Sequence, residues 1–268
     1  MARSELSDEQ LQHLLELLPP ERPWTGRPAR DLERTVRAIL WVNRTGSPWR
    51  DLPAEYGPWQ TAANRFYRWR KAGVWERVLE LVQAEADEAG KLDWSLHQVD
   101  STVVRAHQHA AGAKGQLNQA LGRSRGGIST KIHLRADRHG QPLAFVLSPG
   151  QAADQSALTV LMEAVAVRRV AGGRPRERPE RVVADRAYSS QAIRRYLRRR
   201  GIGAVIPQPS SQKPCALVDW AAYRSRNAIE RLINRLKQFR RIATRYEKLA
   251  ANYLAMVHIG AIRLWLRV

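Results

Sequence analysis

Apolar residues recur at helical spacing near the start of the chain. Ser7-Asp-Glu-Gln10 has the layout of a capping box, and Leu11, Leu14, Leu15 and Leu18 follow on one face until Pro19-Pro20 stops the run. Asp31 stands where it can cap a second helix through Asn43, with Val36, Ile39, Leu40 and Val42 as its apolar side, and Gly46-Ser-Pro48 ends it. A third helix is predicted from about Thr61 to Lys71, entered through the turn Tyr56-Gly57-Pro58, and a fourth from Val74 to Ala89. Residues 1–90 therefore read as all-helical.

From Leu92 the pattern changes to short apolar runs separated by turn residues. His97 to Val104 is a predicted strand, and Ser129–Ala136 and Pro142–Leu147 form a hairpin around the turn Asp137-Arg-His-Gly140. The polar segment His107–Gly127 between them is predicted to be a mobile loop. A helix is expected over Gln155–Val170, a Gly/Pro/Arg loop over Gly172–Arg178, and a short buried strand over Arg181–Ala184. A very basic helix, Ser189–Arg200, a brief strand, Ala204–Ile206, and a long helix, Tyr223–Tyr246, complete the order. Three strands followed by alternating helices and strands imply a mixed α/β sheet.

The chain has 268 residues, of which 44% are hydrophobic and 26% charged, enough for a packed core of one or two domains. Its charge is unbalanced: 45 Lys and Arg face 25 Asp and Glu, a net +20, which points to a polyanionic partner. Seven of the cations are Lys and the other 38 are Arg, the side chain whose planar fork grips phosphate. A single cysteine, Cys215, excludes an internal disulfide framework and a multi-cysteine zinc site, and fits a reducing cytosol. Met1–Leu18 lacks the layout of a secretory signal. The apolar stretch Leu249–Leu266 carries Asn252, His258 and Arg263, which suits a buried helix better than a membrane span.

Several residues are candidates for chemistry, each with a plainer alternative. The third helix sets Arg65, Arg68, Arg70 and Lys71 beside Phe66, Tyr67 and Trp69, the ingredients of a helix-turn-helix reader or of a small bundle with a solvated basic face. Asp100 lies inside an apolar strand, and Asp185 follows Val182-Val183-Ala184 directly. Buried carboxylates are costly unless paired or bound to a cation, so both are candidate metal ligands, or else capping or ion-paired acids, with Arg186 a neighbour of the second. On the long helix Tyr223, Arg226, Glu230, Asn234 and Lys237 recur at three- and four-residue steps beside the core stripe Ile229, Leu232, Ile233 and Leu236, so Glu230 is expected to border the core. Arg224–Lys248 holds nine Lys or Arg against Glu230 and Glu247, which also allows Glu230 to be a surface ion-pair partner. His107-x-His109 has metal-ligand spacing but no accompanying acid or cysteine cluster, and Gly122-Arg-Ser-Arg-Gly-Gly127 lacks the ending of a P-loop.

Taken together, Asp100 in Val-Asp-Ser-Thr, Asp185 in Val-Ala-Asp-Arg-Ala-Tyr, and the array Tyr223-x2-Arg226-x3-Glu230-x6-Lys237 resemble the DDE transposases of bacterial insertion sequences, family five (IS4/IS5-like). The resemblance extends over Gly46-Ser-Pro-Trp-Arg-Asp-Leu-Pro53, Tyr56-Gly-Pro-Trp59, Gly126-Gly-x2-Thr130-Lys131 and the segment Leu236–Lys248, with Arg186 where Lys is expected.

This resemblance implies a ribonuclease H-like catalytic domain over 91–268, preceded by an all-helical, helix-turn-helix-like DNA-binding domain over 1–90. It implies that Asp100, Asp185 and Glu230 are the catalytic acids and hold Mg2+, with Mn2+ as a substitute, for two-metal phosphodiester chemistry. Arg226 and Lys237 would contact a scissile-strand phosphate, and Tyr223 would stack on a base or serve the core. Arg65, Arg68 and Lys131 would be further DNA contacts, with phosphate contacts also from the basic segments 174–200 and 231–248. The implied partners are double-stranded DNA, as terminal inverted repeats and target, and a second copy in a homodimer. The implied location is cytoplasmic, at the nucleoid, with no membrane. A non-catalytic DNA-binding repressor derived from a transposase is the alternative, and a structure-specific nuclease on the same fold a third.

Overall fold

A computed structural model describes residues 5–19, 31–111, 119–124, 126–170, 172–209 and 218–268. Cys215, Pro20, Arg125 and part of the predicted loop after His107 lie outside the described residues. Four helices open the chain: α1 (Asp8–Leu17), α2 (Leu32–Thr45), α3 (Trp59–Lys71) and α4 (Val74–Glu88). The Ser7 capping box forms as its sequence predicts, and Asp31 caps α2 through the Arg34 amide.

The strands are β1 (Leu96–Ala106), β2 (Gly122–Ser124), β3 (Gly127–Ala136), β4 (Pro142–Pro149), β5 (Arg181–Ala184), β6 (Gly203–Val205) and β7 (Thr244–Arg245). The helices between and after them are α5 (Leu158–Glu163), α6 (Gln191–Arg199), α7 (Trp220–Arg224), α8 (Asn227–Lys237), α9 (Arg240–Ala243) and α10 (Ala250–Trp265). β3 pairs antiparallel with β1 on one side and with β4 on the other, while β1, β5 and β6 run parallel. Without the short β2 and β7, the order across the sheet is third, second, first, fourth, fifth. That mixed order, with three antiparallel strands leading into two parallel ones, is the ribonuclease H-like arrangement.

The apolar run at 249–266 is α10, buried along most of its length and packed on α4, β4 and α2. Its polar residues face protein groups: Arg263 donates to the Leu40 carbonyl at 2.9 Å, and His258 lies 3.4 Å from Glu76. No helix among the described residues is long and apolar enough to cross a membrane. One contiguous set of buried apolar residues runs from Leu6 in the helical part to Trp265 in α10, so the helices and the sheet share a core.

Four sequence expectations change. The connection between α2 and α3 is thirteen residues, 46–58, with two 3-10 turns, so these helices do not form a tight helix-turn-helix. The expected helix 155–170 ends at Glu163, because Val165 and Val167 are buried while Ala166 and Arg168 are exposed, the period of an extended chain, and Val167 bridges to Arg176. The polar segment after His107 contributes β2, paired to β3. The long helix 223–246 is three helices and a short strand. Its amides at 226, 228 and 229 bond three residues back, and Phe239 turns extended to bury its ring beneath Arg263 and against Gly260, where a Cβ would sit 3.2 Å from that ring.

Candidate active site

The parallel register of β1 and β5 sets the centre of the site. Val99 pairs with Ala184, so the next residue on each chain is an acid, Asp100 on β1 and Asp185 just past β5. Neighbouring strands lie about 4.8 Å apart, which sets the Asp100 carboxylate, midway along β1, beside that of Asp185 at the end of β5. Asp185 also caps the following turn, its Oδ1 accepting from the Ala187 amide at 2.9 Å. Asp100 Oδ1 accepts from the Ser101 amide at 2.8 Å.

Gln98 shares the face of Asp100, two residues earlier, and is fully buried. Its amide donates to the carbonyls of Asp137 and Arg138 at the hairpin turn, and its oxygen accepts from the Ile229 amide of α8 at 3.1 Å. One side chain thus fixes α8, and with it Glu230, relative to β1. The turn supports the same helix: Gly140 lies so close to α8 that a Cβ would be 2.6 Å from the Ala228 carbonyl oxygen, and Arg235 donates to the Gly140 carbonyl. The sequence marks Gly140 only as part of the hairpin turn and does not single out Gln98; a buried amide inside an apolar strand is the signal that could have found it.

Arg226 stands at the entry to α8 and bridges two acids. Its Nη2 donates to Asp100 Oδ2 at 2.7 Å and its Nη1 to Glu230 Oε1 at 2.8 Å. The side chains of Asp100, Arg226 and Glu230 are 12%, 19% and 52% exposed, so Glu230 faces solvent instead of bordering the core as its spacing suggested. Burial pushes the Asp100 carboxyl up; Arg226 and the Ser101 amide oppose this, and Asp185 and Glu230 add to it. Asp185 and Glu230 thus both act on Asp100. Burial works against the charge of Arg226, but Asp100 and then Glu230 outweigh it, and the guanidinium is held more firmly protonated than usual.

The donor set is carboxylate oxygen, the type that Mg2+ and Mn2+ take. A cation already bridges Asp100 and Glu230, so the space between them accepts positive charge, and the residues fit a divalent ion. Among the described residues no three acids or histidines close around a single ion as they stand, with Arg226 lying between two of them.

The other predicted site residues are dispersed. Lys237 lies on α8 seven residues beyond Glu230, about 10 Å along the helix, where burial lowers its ammonium. Tyr223 packs on Leu96, Val183 and Val205, which cover the same face of the sheet, and meets Trp220 edge-on at 5.6 Å. Lys131 is turned inward, 11% exposed and paired with Asp154 at 2.7 Å, which takes it out of the DNA contacts expected of it. Arg65 and Arg68 belong to the outer face of α3, which with Tyr67, Arg70 and Lys71 lines an open groove of about 670 Å³. Arg174, Arg178, Arg199 and Arg200 border a groove before β5 and β6, at the opposite end of the parallel strands from Asp185 and not beside the acids. Arg241 and Arg245, in the expected basic track, are buried. His107 meets His109 edge-on and also lies against Tyr246.

Comparison with known proteins gives consistent matches. The family described as "Transposase DDE domain" matches residues 98–265, and that described as "Putative transposase of IS4/5 family" matches residues 6–79. The uncharacterized 16.2 kDa protein of insertion element IS402 from Burkholderia cepacia is 40% identical over 119 residues, 42% of this chain and 78% of that protein. A "Putative transposase for insertion sequence element IS6501" from Brucella ovis is 28% identical over 141 residues, 52% of this chain and 100% of that protein. Among solved structures, the Mos1 transposase paired-end complex with its left transposon end has a TM-score of 0.26 at 12% identity, covering 81% of this chain and 82% of that one, a likeness that adds nothing to the topology above.

Proposed function

The chain belongs to the transposase DDE domain family, and from that premise we propose that it cuts the ends of an insertion sequence and joins the 3′-hydroxyls to target DNA. Asp100, Asp185 and Glu230 are the catalytic acids of this reading, and Mg2+ or Mn2+ is the ion they hold. Bound there, divalent ions would activate an attacking water or 3′-hydroxyl and stabilise the leaving oxygen of an in-line phosphodiester displacement. The supporting observation is the β1–β5 register, which sets Asp100 beside Asp185, together with the Arg226 bridge that ties Glu230 to the same point.

Arg226 has two roles in this reading. It neutralises Asp100 and Glu230, and with a metal held by those acids its guanidinium would be free to grip a phosphate through two parallel hydrogen bonds. Lys237, farther along α8, follows the strand as a point charge. The exposed face of α3, with Arg65 and Arg68, is the candidate for reading the terminal inverted repeats, and two copies of the chain hold the two ends at the nucleoid.

The test is direct. Purified protein is incubated with labelled element ends and Mg2+ or Mn2+, and nicked and joined products are resolved. Asp100→Ala, Asp185→Ala and Glu230→Ala are each expected to abolish both products while retaining end binding. Ordinary strand transfer by any one of them removes that acid from the assignment. Binding without cleavage by the unaltered chain in either metal would favour the non-catalytic repressor, and cleavage without dependence on repeats or joining would favour a structure-specific nuclease.

A further inference from the structure

A fourth carboxylate sits behind the acids, and the proposed function does not use it. Asp154 begins the 3-10 turn that follows β4. Its Oδ1 accepts from Lys131 Nζ at 2.7 Å and from Ser101 Oγ at 2.8 Å, and Lys131 Nζ also donates to the Ala152 carbonyl at 2.7 Å. The Lys131 and Asp154 side chains are 11% and 23% exposed, so the pair is shielded and aimed inward.

Ser101 connects this pair to Asp100. Side chains alternate along β1, so the Ser101 hydroxyl points to the face opposite the Asp100 carboxylate. Its amide nevertheless donates to Asp100 Oδ1. Anchoring the hydroxyl on Asp154 therefore fixes the peptide unit that orients Asp100. Tyr188, three residues after Asp185, is buried, and its turn packs against the turn that Asp154 begins. Burial raises this phenol, and the charges of Asp154, Asp100 and Asp185 raise it further. The turn that carries Asp185 thus rests on the same support.

We propose that Asp154, held by Lys131, is a positioning residue for the Asp100–Asp185 pair, acting through Ser101 from the back of the sheet. The proposal rests on the reading of Asp100 and Asp185 as metal-holding acids. Groups that orient the ligands of a metal change its affinity by about 10- to 100-fold when removed, without touching the ion. A carboxylate whose only task is to neutralise a buried lysine changes stability instead.

The experiment measures Mn2+ binding to the full chain without DNA, by the loss of the free-ion electron paramagnetic resonance signal, alongside thermal melting. Asp154→Ala is expected to weaken Mn2+ binding about tenfold or more, and Asp154→Asn, which keeps an acceptor for Ser101, to restore most of it. Ser101→Ala removes one hydroxyl and no charge, so it carries the test even if Asp154→Ala does not fold. It is expected to weaken Mn2+ in the same direction, and the double variant to be no weaker than the worse single one, as for two groups in one path. Unchanged Mn2+ affinity in Ser101→Ala, or in a folded Asp154→Ala whose melting temperature falls, would overturn the proposal. Asp100→Ala with wild-type Mn2+ affinity, or no binding by any form, would overturn the metal reading and this proposal with it.

Discussion

Arg135, Arg241, Arg245 and Arg263 are buried, and their donors go to protein acceptors. Arg135 reaches His97 and the carbonyls of Met162 and Glu177; Arg245 reaches Thr130 and the carbonyls of Glu247 and Lys248; Arg241 pairs with Glu247 and reaches Gly46 and Ser47. A planar fork with five donors can close several loops at once, which an ammonium cannot. Part of the arginine excess is therefore structural. His97 shows what this costs. Arg135 donates to its Nδ1, so the ring proton sits on Nε2 and is donated to the Asp93 carbonyl. Burial, then the charge of Arg135, holds the imidazole well below its usual range. Below about pH 6.5 the unfolded chain takes up a proton that folded His97 refuses, so stability falls with decreasing pH, by about 1.4 kcal/mol per pH unit for this one group until its folded value is reached. His133, depressed to about 4 chiefly by burial, acts in the same direction. Urea unfolding between pH 7.5 and 5 is expected to show the decline, and His97→Asn to reduce its slope; an equal slope in that variant refutes the assignment.

At the scale of elements, the site depends on how β1, the hairpin turn and α8 interlock. Gly140 has φ of 78° and touches α8, so Gly140→Ala is expected to lose about 3 kcal/mol and to shift the helix that bears Glu230. Equilibrium unfolding measures the loss, and a change below about 1 kcal/mol would show that the turn yields easily. Strands β1 and β5 were legible because their apolar runs are punctuated by acids and turn residues. The Arg226 bridge was not, since periodicity runs unbroken from Tyr223 to Lys237 while the backbone tightens to three-residue turns between them. Asp154 escaped notice because it precedes a predicted helix and reads as an ordinary cap. Lys131 could be read as basic but not as inward-facing, because its partner lies 23 residues away.

At the scale of the whole molecule, α10 joins the two parts. It packs on α4 and α2 from the helical part and on β4 of the sheet, and Gln83 of α4 also donates to the Pro142 and Leu143 carbonyls at the start of β4. A fragment beginning at residue 91 would bare the side of α10 that packs on α2 and α4, where Met256 meets Asn43 and His258 meets Glu76. We expect such a fragment to aggregate or to melt without a cooperative transition, and a sharp unfolding curve from fragment 91–268 would show that the sheet closes its core alone. The compositional change at residue 92 was legible in the chain. That both sides of it share one core was not, because the joining helix comes more than 150 residues after α2 and α4, the helices it covers.

The position of α10 in the chain also bears on synthesis. It follows every other described element, so α4 and the sheet leave the ribosome before the helix that completes their common interior exists. From Glu88 to Ala250 the wait is about 8 to 30 s at bacterial and eukaryotic elongation speeds of roughly 5–20 residues per second. During that interval the nascent chain displays the face of α4 that α10 later covers, a period of chaperone dependence written into the order of the helices.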